Sequence, residues 1–326
     1  MVAPLRIGFF GTPAFALATL DALHRSTHDV VVVMTQPDRP RGRGQKLTDG
    51  PVKAFAVAEG IPVLQPERLK DETLLAELSA FRLDLVVVAA YGRIIPRAML
   101  ALPRLGMINV HASLLPRWRG AAPIHRAILA GDAETGVTIM RVVFELDAGP
   151  MLSVVRTPIG ADDTSGELET RLAALGATLL VDTVDRLATG PVSETPQPEA
   201  GVTYAHRLER ADSHVDWKRP ARVIHNQIRG LQPWPAVVTL FKGRRLSLLG
   251  SVVDARSHDA VTPGTVIDVT AEDFVVATGT GAVRVTRVQM EGKSPLTVRQ
   301  FLSGYPVVIG DRLDPLPAPP SPGDHA

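Results

Sequence analysis

Continuous apolar runs alternate with helix-type segments from the N-terminus to about residue 150. The runs cover residues 5–10, 30–34, 83–90 and 107–111. Each run is largely apolar instead of alternating regularly with polar residues, which is typical of strands that are buried on both faces of a sheet. Strands of this kind separated by helices predict βαβ units. The first half of the chain is therefore expected to form an α/β domain with a mostly parallel sheet.

Helix boundaries within this part are indicated by capping residues and proline. Residues 13–23 are predicted to form a helix with Thr12 as its N-cap and Pro13 in the first turn. Residues 168–187 predict a longer helix. The segment that follows, residues 191–201, is rich in proline and polar residues and is predicted to be a linker.

The pattern changes after this linker. A short helix is predicted near residues 219–229, and residues 236–290 hold several short strands rich in valine, threonine and leucine, separated by glycine turns. Short strands at regular spacing are typical of a small β-barrel or sandwich. The proline-rich residues 315–326 are predicted to be disordered. The expected division is thus a domain over 1–190, a linker over 191–206, a second domain over 207–314 and a tail over 315–326.

Composition is that of an ordinary globular enzyme. The chain has 326 residues, of which 45% are hydrophobic, enough to bury the cores of two domains. The net charge is only +1, but residues 207–326 carry 15 lysines and arginines against 12 aspartates and glutamates, whereas residues 1–206 carry 20 against 22. The basic character is therefore shifted toward the C-terminal part.

Several classes of protein are excluded or disfavoured by motif. The chain has no cysteine, so disulfides, thiolate metal sites and cysteine nucleophiles are excluded. Its nine histidines show no metal-ligand spacing, and no metal is expected. No apolar run approaches the ~18 residues of a membrane span, and the first apolar run is too short for a signal sequence. We therefore expect a cytoplasmic protein, which we also predict to be a monomer.

A dinucleotide-binding fold is the common alternative for such a sheet. The first strand and its turn, which begin at Gly8 and end at Pro13, lack the G-x-G-x-x-G spacing. The second apolar run ends in Met34 and Thr35 instead of the acidic residue that would hold a ribose. A Walker loop is absent as well. The sequence therefore predicts no NAD and no other nucleotide cofactor.

Three polar side chains at strand ends are the candidate catalytic residues. Asn109 and His111 end one apolar run with one residue between them, so the period of a strand points both to the same face. An amide and an imidazole there can donate hydrogen bonds to a developing oxyanion. Asp147, after the β-rich stretch 137–144, is the carboxylate best placed in sequence to orient the imidazole or take a proton. Each residue alone is more typical of a turn, but together they indicate transfer of an acyl-like group to an amine.

A basic segment follows the second apolar run. Five cations stand against Asp38 and Asp49, which leaves a net charge of +3. The cations are Arg39, Arg41, Arg43, Lys46 and Lys53. A glycine-rich basic segment of this kind is commonly a solvated surface loop. It can also neutralise phosphates, and the absence of aromatic residues then favours contact with a nucleic-acid backbone over base stacking.

Two motifs resemble the family of formyltransferases that use 10-formyltetrahydrofolate. They are Asn-Val-His-Ala-Ser-Leu-Leu-Pro-Arg-Trp-Arg-Gly-Ala-Ala-Pro-Ile at residues 109–124 and Leu-Asp-Ala-Gly at residues 146–149. Further segments resemble the family in the same order, over nearly the whole chain up to about the last dozen residues. They are Phe-Gly-Thr-Pro-Ala-Phe at 10–15, residues 35–44, Val52-Lys53, Gln65-Pro66, Tyr204-Ala205, Asp216-Trp217, Pro233-Trp234-Pro235 and Gly292-Lys293.

The resemblance implies a Rossmann-like catalytic domain, an OB-like C-terminal barrel and formyl transfer from 10-formyltetrahydrofolate to the α-amino group of methionine on initiator tRNA. It implies that Asn109 and a protonated His111 stabilise the oxyanion and that Asp147 handles the proton. For the folate it implies a site formed by Ser113, Leu114, Leu115 and Pro116, with Tyr91, Ile94 and Ile95 on a neighbouring loop. For tRNA it implies contacts from Arg39, Arg41, Arg43, Lys46 and Lys293.

Two departures from the family pattern affect binding residues only. Gln45 stands where the family usually has a lysine, and Arg207 stands where it usually has a lysine after Tyr-Ala.

Three alternatives stay open at this point. A formyltransferase acting on a nucleotide sugar or small amine would share the three catalytic residues but would have little use for the basic segment. The others are a folate hydrolase and a tRNA-binding protein with an inactive catalytic domain.

Overall fold

The computed structural model describes residues 3–41, 46–254 and 261–317. The chain separates into two compact units. The first unit comprises Met1–Pro123, Glu134–Pro158 and Glu169–His206, and the second comprises Ile124–Ala133, Ile159–Leu168 and Arg207–Ala326. The domain boundaries expected at residues 190 and 206 stay a prediction.

The first part of the chain alternates strands and helices, as its apolar runs predicted. In chain order the elements are β1 (Arg6–Gly11), α1 (Ala14–His24), β2 (Asp29–Met34), β3 (Pro40–Arg41), β4 (Lys46–Leu47), α2 (Pro51–Ala58), β5 (Val63–Leu64), α3 (Glu72–Ala80), β6 (Leu85–Ala89), α4 (Arg97–Leu100), β7 (Met107–His111), β8 (Arg119–Gly120), α5 (Pro123–Ala130), β9 (Glu134–Arg141), β10 (Met151–Pro158), α6 (Ser165–Thr189) and β11 (Tyr204–Ala205).

The first unit is built on a seven-stranded sheet in the order β10-β9-β7-β6-β1-β2-β5. The pairs from β7 to β5 are all parallel, whereas β9 lies antiparallel to both β7 and β10. The predicted mostly parallel sheet is confirmed. Its central strands are buried almost throughout, because helices cover parallel sheets on both faces. The carboxyl ends of β2, β6 and β7 therefore meet at one edge, where ligands bind in open α/β sheets.

The first helix begins one residue later than expected. Thr12 was predicted to be its N-cap, but the cap position is Pro13, whose extended backbone precedes Ala14 and whose side chain has no capping hydrogen bond to offer. The hydroxyl of Thr12 instead accepts the backbone N–H of Gln36, at 3.2 Å. Thr12 therefore joins the end of β1 to the segment after β2.

The segment predicted to be a linker forms backbone hydrogen bonds with the first unit. The backbone N–H of each of Thr195 and Met151 donates to the carbonyl of the other, both at 2.8 Å. Strand β11 runs parallel to β8. Between these two anchors the chain passes the end of the central sheet. Residues of this segment are therefore placed to contact the loops that follow β7 and β9.

The second unit contains the predicted antiparallel sheet. After a 3₁₀ turn at Arg210–Ser213, its elements are α7 (Ala221–Gly230), β12 (Val237–Phe241), β13 (Arg244–Asp254), β14 (Val266–Val269), β15 (Phe274–Ala277), β16 (Ala282–Met290), β17 (Leu296–Thr297), α8 (Val298–Leu302) and β18 (Leu313–Asp314). The strands follow the order β14-β15-β16-β13-β12-β18, with β17 added to β16.

This sheet curls until its two ends meet. The N–H of Val266 donates to the carbonyl of Asp311, and the N–H of Leu313 donates to the carbonyl of Gly264, both at 2.8 Å. These bonds join the start of β14 to the segment that leads into β18, and such closure protects strand edges. The predicted barrel is confirmed. Most of the predicted tail, residues 318–326, lies outside the described residues.

Two further observations concern the described ranges only. None of their helices has the length and apolar character needed to cross a bilayer. Within the same ranges, His, Asp and Glu side chains form no group of three or more that could hold a metal ion.

Candidate active site

The end of β7 brings together the three residues predicted from the sequence. Asn109 and His111 lie on the same face of the strand, and both reach Asp147 in the loop between β9 and β10. The Nδ2 atom of Asn109 lies 3.4 Å from Oδ1 of Asp147, and the Nδ1 atom of His111 lies 3.7 Å from Oδ2 of the same carboxylate. The structure thus brings the three side chains together, and their catalytic role stays a prediction. Both contacts are long, so the amide of Asn109 and the imidazole of His111 lie near the carboxylate without binding it tightly.

The tautomer of His111 follows from its other nitrogen. Its Nε2 atom lies 2.8 Å from the backbone carbonyl of Trp118, which can only accept a hydrogen bond. Nε2 therefore carries a proton, and Nδ1 faces Asp147. The His111 side chain is only 6% exposed and that of Asp147 is 15% exposed, so their interaction is screened little by solvent.

The loop that carries Asp147 has an unusual backbone. Asp147 has a φ of 45°, in the left-handed region that non-glycine residues rarely adopt. A Cβ on Gly149 would lie 2.0 Å from the carbonyl of Arg141, so only glycine fits two residues later. The motif Asp-Ala-Gly thus lets the chain turn sharply against β9 and present the carboxylate to β7.

Asp147 is also held by β8. The N–H of Gly120 donates to Oδ2 of Asp147 at 2.8 Å. Gly120 has a φ of 114°, and a Cβ there would lie 2.9 Å from the carbonyl of Ala205 in β11. The pairing of β8 with β11 therefore fixes the amide that orients the carboxylate.

Sequence reasoning missed two further residues at this site, Gln197 and Arg119. The Nε2 of Gln197 donates to the carbonyls of Asp147 and Gly149, both at 2.8 Å. Its Oε1 accepts from Nε and Nη2 of Arg119, at 3.0 and 2.7 Å. A signal was present in the sequence: Gln197 stands between Pro196 and Pro198, which stiffen the backbone on both sides.

The motif predicted to line the folate site is built into the first unit. Ser113 is fully buried, and its hydroxyl donates to the carbonyl of Arg117 at 2.6 Å, so this side chain closes the turn after β7. Leu115 is 7% exposed, and its N–H donates to the hydroxyl of Thr138. Leu114 and Pro116 are half-buried. Contact of Ser113, Leu114, Leu115 and Pro116 with folate stays a prediction.

The neighbouring loop after β6 presents its three predicted residues differently. Tyr91 is 2% exposed and packs against Phe10, with ring centroids 5.8 Å apart, and Ile95 belongs to the same core. Burial raises the pKa of Tyr91, while the nearby Arg93 acts in the opposite direction. Ile94 is 78% exposed. Of the three side chains, only that of Ile94 projects into solvent, so a folate contact by Tyr91 or Ile95 would involve the backbone.

The basic segment begins at a compact polar cluster. Lys53 pairs with Asp38 and lies 2.8 Å from Oδ1 of Asp49. The Nε2 of Gln65 donates to Oδ1 of Asp38 at 3.0 Å. The hydrogen bonds to Asp38 and then to Asp49 raise the pKa of Lys53. Lys53 was predicted among the basic residues of the segment, but here its charge is used within the protein.

Beyond this cluster, β3 and β4 form a short antiparallel pair that places Arg41 opposite Lys46. Arg39 is exposed. Arg43 and the departure at Gln45 lie outside the described residues. In the second unit, Lys293, Arg244 and Arg245 are all exposed. Binding of tRNA by Arg39, Arg41, Arg43, Lys46 and Lys293 stays a prediction.

The fold and the polar cluster at the end of β7 can be compared with known protein families. Residues 5–184 match the model of the formyl transferase family, and residues 207–306 match the model of the formyl transferase C-terminal domain. The chain belongs to the formyl transferase family.

Relatives with high identity narrow this assignment. A methionyl-tRNA formyltransferase from Symbiobacterium thermophilum is 48% identical over 324 residues, 98% of this chain and 99% of the relative. A methionyl-tRNA formyltransferase from Pseudomonas paraeruginosa is 49% identical over 90% of this chain and 93% of the relative. This similarity places the chain among the methionyl-tRNA formyltransferases of the family.

Solved structures support the fold. An N-formyltransferase from Helicobacter canadensis, in complex with folinic acid and dTDP-3-aminofucose, matches with a TM-score of 0.64 and 18% identity over 88% of this chain and 99% of that one. HypX from Aquifex aeolicus, in complex with tetrahydrofolic acid, matches with a TM-score of 0.61 and 17% identity. The match covers 92% of this chain and about half, 47%, of HypX. At these identities the likeness concerns the fold alone.

Proposed function

We propose that the protein transfers the formyl group of 10-formyltetrahydrofolate to the α-amino group of methionine on initiator methionyl-tRNA. One observation carries the proposal: Asn109 and His111 converge on Asp147, within 3.4 and 3.7 Å, in a chain 48% identical to a methionyl-tRNA formyltransferase. An amide, an imidazole and a carboxylate are the groups needed to stabilise an oxyanion and move a proton.

The proposed reaction is a transfer of the formyl group between two amines. The methionyl amine attacks the formyl carbon on N10 of the folate, which forms a C–N bond and places negative charge on the formyl oxygen. The amide of Asn109 and the Nδ1–H of His111 donate hydrogen bonds to that oxygen. Asp147 takes the proton released by the amine, directly or through water. The C–N10 bond then breaks, the proton held by Asp147 passes to N10 directly or through water, and tetrahydrofolate leaves.

The binding roles are proposals for separate parts of the chain. The folate contacts are assigned to residues 113–116 and to the loop with Tyr91, Ile94 and Ile95. Exposed apolar side chains near Asp147 in sequence, Phe144 at 49% and Leu146 at 58%, are compatible with an apolar ligand on that side. The tRNA contacts are assigned to the basic segment and to Lys293, because exposed cations neutralise phosphates.

The decisive experiment compares acceptors for the formyl group. The enzyme is supplied with 10-formyltetrahydrofolate and with methionyl-tRNA, free methionine, a nucleotide-linked amino sugar or water alone. Formylation of methionyl-tRNA with little turnover of the other acceptors is expected. Preferential formylation of the amino sugar, or hydrolysis without an acceptor, would assign the same site to a different reaction.

The basic segment is tested with Arg43→Ala. Loss of a phosphate contact is expected to raise KM for methionyl-tRNA and to leave KM for the folate unchanged. Affinity for tRNA should also fall steeply with salt concentration. An unchanged KM for tRNA together with a flat salt response would contradict the tRNA-binding assignment.

A further inference from the structure

Gln197 makes hydrogen bonds with every polar atom of its side chain. It is half-buried within a run of mostly exposed residues, and its amide lies between the Asp147 loop on one side and Arg119 on the other. Its NH₂ group donates to two carbonyls, and its oxygen accepts two N–H groups from the guanidinium. An amide that is satisfied on both sides cannot rotate without losing these hydrogen bonds.

The neighbours of Gln197 also determine which way its amide points. Carbonyls lie on one side and guanidinium N–H groups on the other, so a reversed amide would place donors against donors and acceptors against acceptors. Arg119 belongs to β8, next to Gly120, whose N–H holds the carboxylate of Asp147. One side chain thus connects both elements that determine where Asp147 lies.

Asp147 benefits from such support, because a φ of 45° costs free energy even for an aspartate, which adopts this region more readily than most residues with a side chain. A backbone of this kind persists only where the surroundings over-determine it, and such positions cluster at functional sites. Its carbonyl is held by Gln197 and its carboxylate by Gly120. Without the amide, the carbonyl of Asp147 loses this hydrogen bond while its carboxylate keeps the bond to Gly120, so the peptide can tilt and shift the carboxylate relative to His111.

We propose that Gln197, braced by Arg119, is a positioning residue that keeps Asp147 in its reactive orientation. This inference rests on the proposed role of Asp147. Gln197 lies in the segment predicted to be only a linker, so the segment contributes to catalysis as well as to connection. Gln197 touches neither substrate in this role and acts through Asp147 alone.

The test uses Gln197→Glu in the full-length protein. A carboxylate keeps the size of the side chain and its interaction with Arg119, but it replaces two donors with an oxygen that repels the carbonyls of Asp147 and Gly149. We expect kcat for formyl transfer to fall about 10- to 100-fold, the loss typical of a misplaced catalytic group. KM for both substrates should stay within about twofold, because the contacts that bind the substrates in the ground state are unaffected.

Glu194→Gln is the matched control. Glu194 ties the same segment to Arg141, at 2.7 Å, without touching Asp147. The control should keep kcat within about twofold, as expected for an exposed ion pair. An unchanged kcat in Gln197→Glu, or an equal loss in both variants, would overturn the proposal. If Gln197→Glu does not fold, Gln197→Met is measured in the same way, and failure of both to fold would show a purely structural role and also overturn it.

A double-mutant cycle separates positioning from general damage. In an Asp147→Asn background, Gln197→Glu should lower the residual kcat by less than about twofold, because residues that act as a unit are strongly non-additive. The same fold loss in both backgrounds would refute action through Asp147. Near-normal kcat in Asp147→Asn alone would instead refute the proposed catalytic role of Asp147, so the two failures are distinguishable.

Discussion

Two carboxylates in loops of the same unit, Asp38 after β2 and Asp147 between β9 and β10, are used differently. Asp38, after β2, is bound by Lys53 and by Gln65, both through side-chain nitrogens. Asp147 faces the end of β7, where the nitrogens of Asn109 and His111 stay 3.4 and 3.7 Å away. The first carboxylate is paired with an adjacent ammonium group, whereas the second is contacted by the amides of Asn109 and Gly120 and by the imidazole ring of His111.

The difference shows that loops of one domain can hold a carboxylate with a structural role and another with a proposed chemical role. A carboxylate in a close ion pair is a weak base, because the cation stabilises its charge. A carboxylate opposite an imidazole at a longer distance can still accept or share a proton during a reaction. The position of a carboxylate in a loop beside the sheet therefore does not by itself give it a chemical role; the groups that contact the carboxylate decide this.

The largest effect on kcat is expected when the charges of Asp147 and Asp38 are removed in separate variants. Asp147→Asn should lower kcat by about two to three orders of magnitude, as is typical for loss of a group that stabilises the transition state. Asp38→Asn, which has nearly the same shape, should leave kcat within about twofold, since it takes no part in the reaction. Single-turnover formyl transfer measures both. Equal losses of kcat in the two variants would show that Asp38 and Asp147 do not differ in their contribution to the reaction.

Gly149→Ala tests the backbone of the Asp147 loop. The added methyl group would lie 2.0 Å from the carbonyl of Arg141, so the loop must move. We expect stability to fall by about 1–3 kcal/mol, as in overpacked sites, and kcat to fall about 100-fold as Asp147 shifts. Gly304→Ala is the control, because nothing lies within 4 Å of its added Cβ. Normal kcat in Gly149→Ala would show that the position of Asp147 is not critical.

Lys53→Met tests the role of the ion pair that holds the carboxylate of Asp38. Loss of the ammonium group leaves Asp38 and Asp49 without their shared cation beside the basic segment. We expect KM for methionyl-tRNA to rise several-fold through repulsion of phosphates, with kcat unchanged. Lys70→Met, at an exposed lysine of the same unit, provides the comparison. A fall in kcat with constant KM would instead connect this cluster to the chemistry.

The smallest effect is expected at a second buried histidine, His225, which differs from His111 in what faces its Nδ1. Nδ1 lies 3.0 Å from the hydroxyl of Ser251, and Nε2 lies 3.0 Å from the carbonyl of Ala161. Burial lowers the pKa of His225 from its ordinary value of 6.5; Arg229 and Arg222 act in the same direction, and the carbonyl of Ala161 and Asp162 oppose it. The folded state therefore disfavours the proton, and its stability falls as pH drops below about 6.5, where the unfolded chain takes up the proton first.

His225→Gln should accordingly be less stable than the parent at pH 7 by a few degrees in Tm, because buried hydrogen bonds are lost. The gap should narrow at pH 5, since the variant lacks the unfavourable protonation. Thermal unfolding at both pH values measures this. A gap that widens toward pH 5 would contradict the sign of the pKa shift.

Much of the fold followed from local patterns. The apolar runs predicted β1, β2, β6 and β7, and the change of pattern after residue 201 predicted the second unit's strands, because the period of a strand and the punctuation of its turns are properties of neighbouring residues. The two-residue period of a strand also predicted that Asn109 and His111 lie on the same face of β7. Thr12 was wrongly assigned as a cap, because its hydroxyl is used 24 residues away, on Gln36.

The remaining features depend on contacts between distant parts of the chain. Gln197 reaches Asp147 across 50 residues, and Lys53 reaches Asp38 across 15. Composition cannot show which carboxylate acquires a cation, or that Tyr91 is buried while Ile94 is exposed, because each outcome depends on which loops fold together. The sequence alone thus indicated the elements, the family and the reactive groups. Packing of the loops determined which of those groups stays available for a proton and which is held by a neighbour.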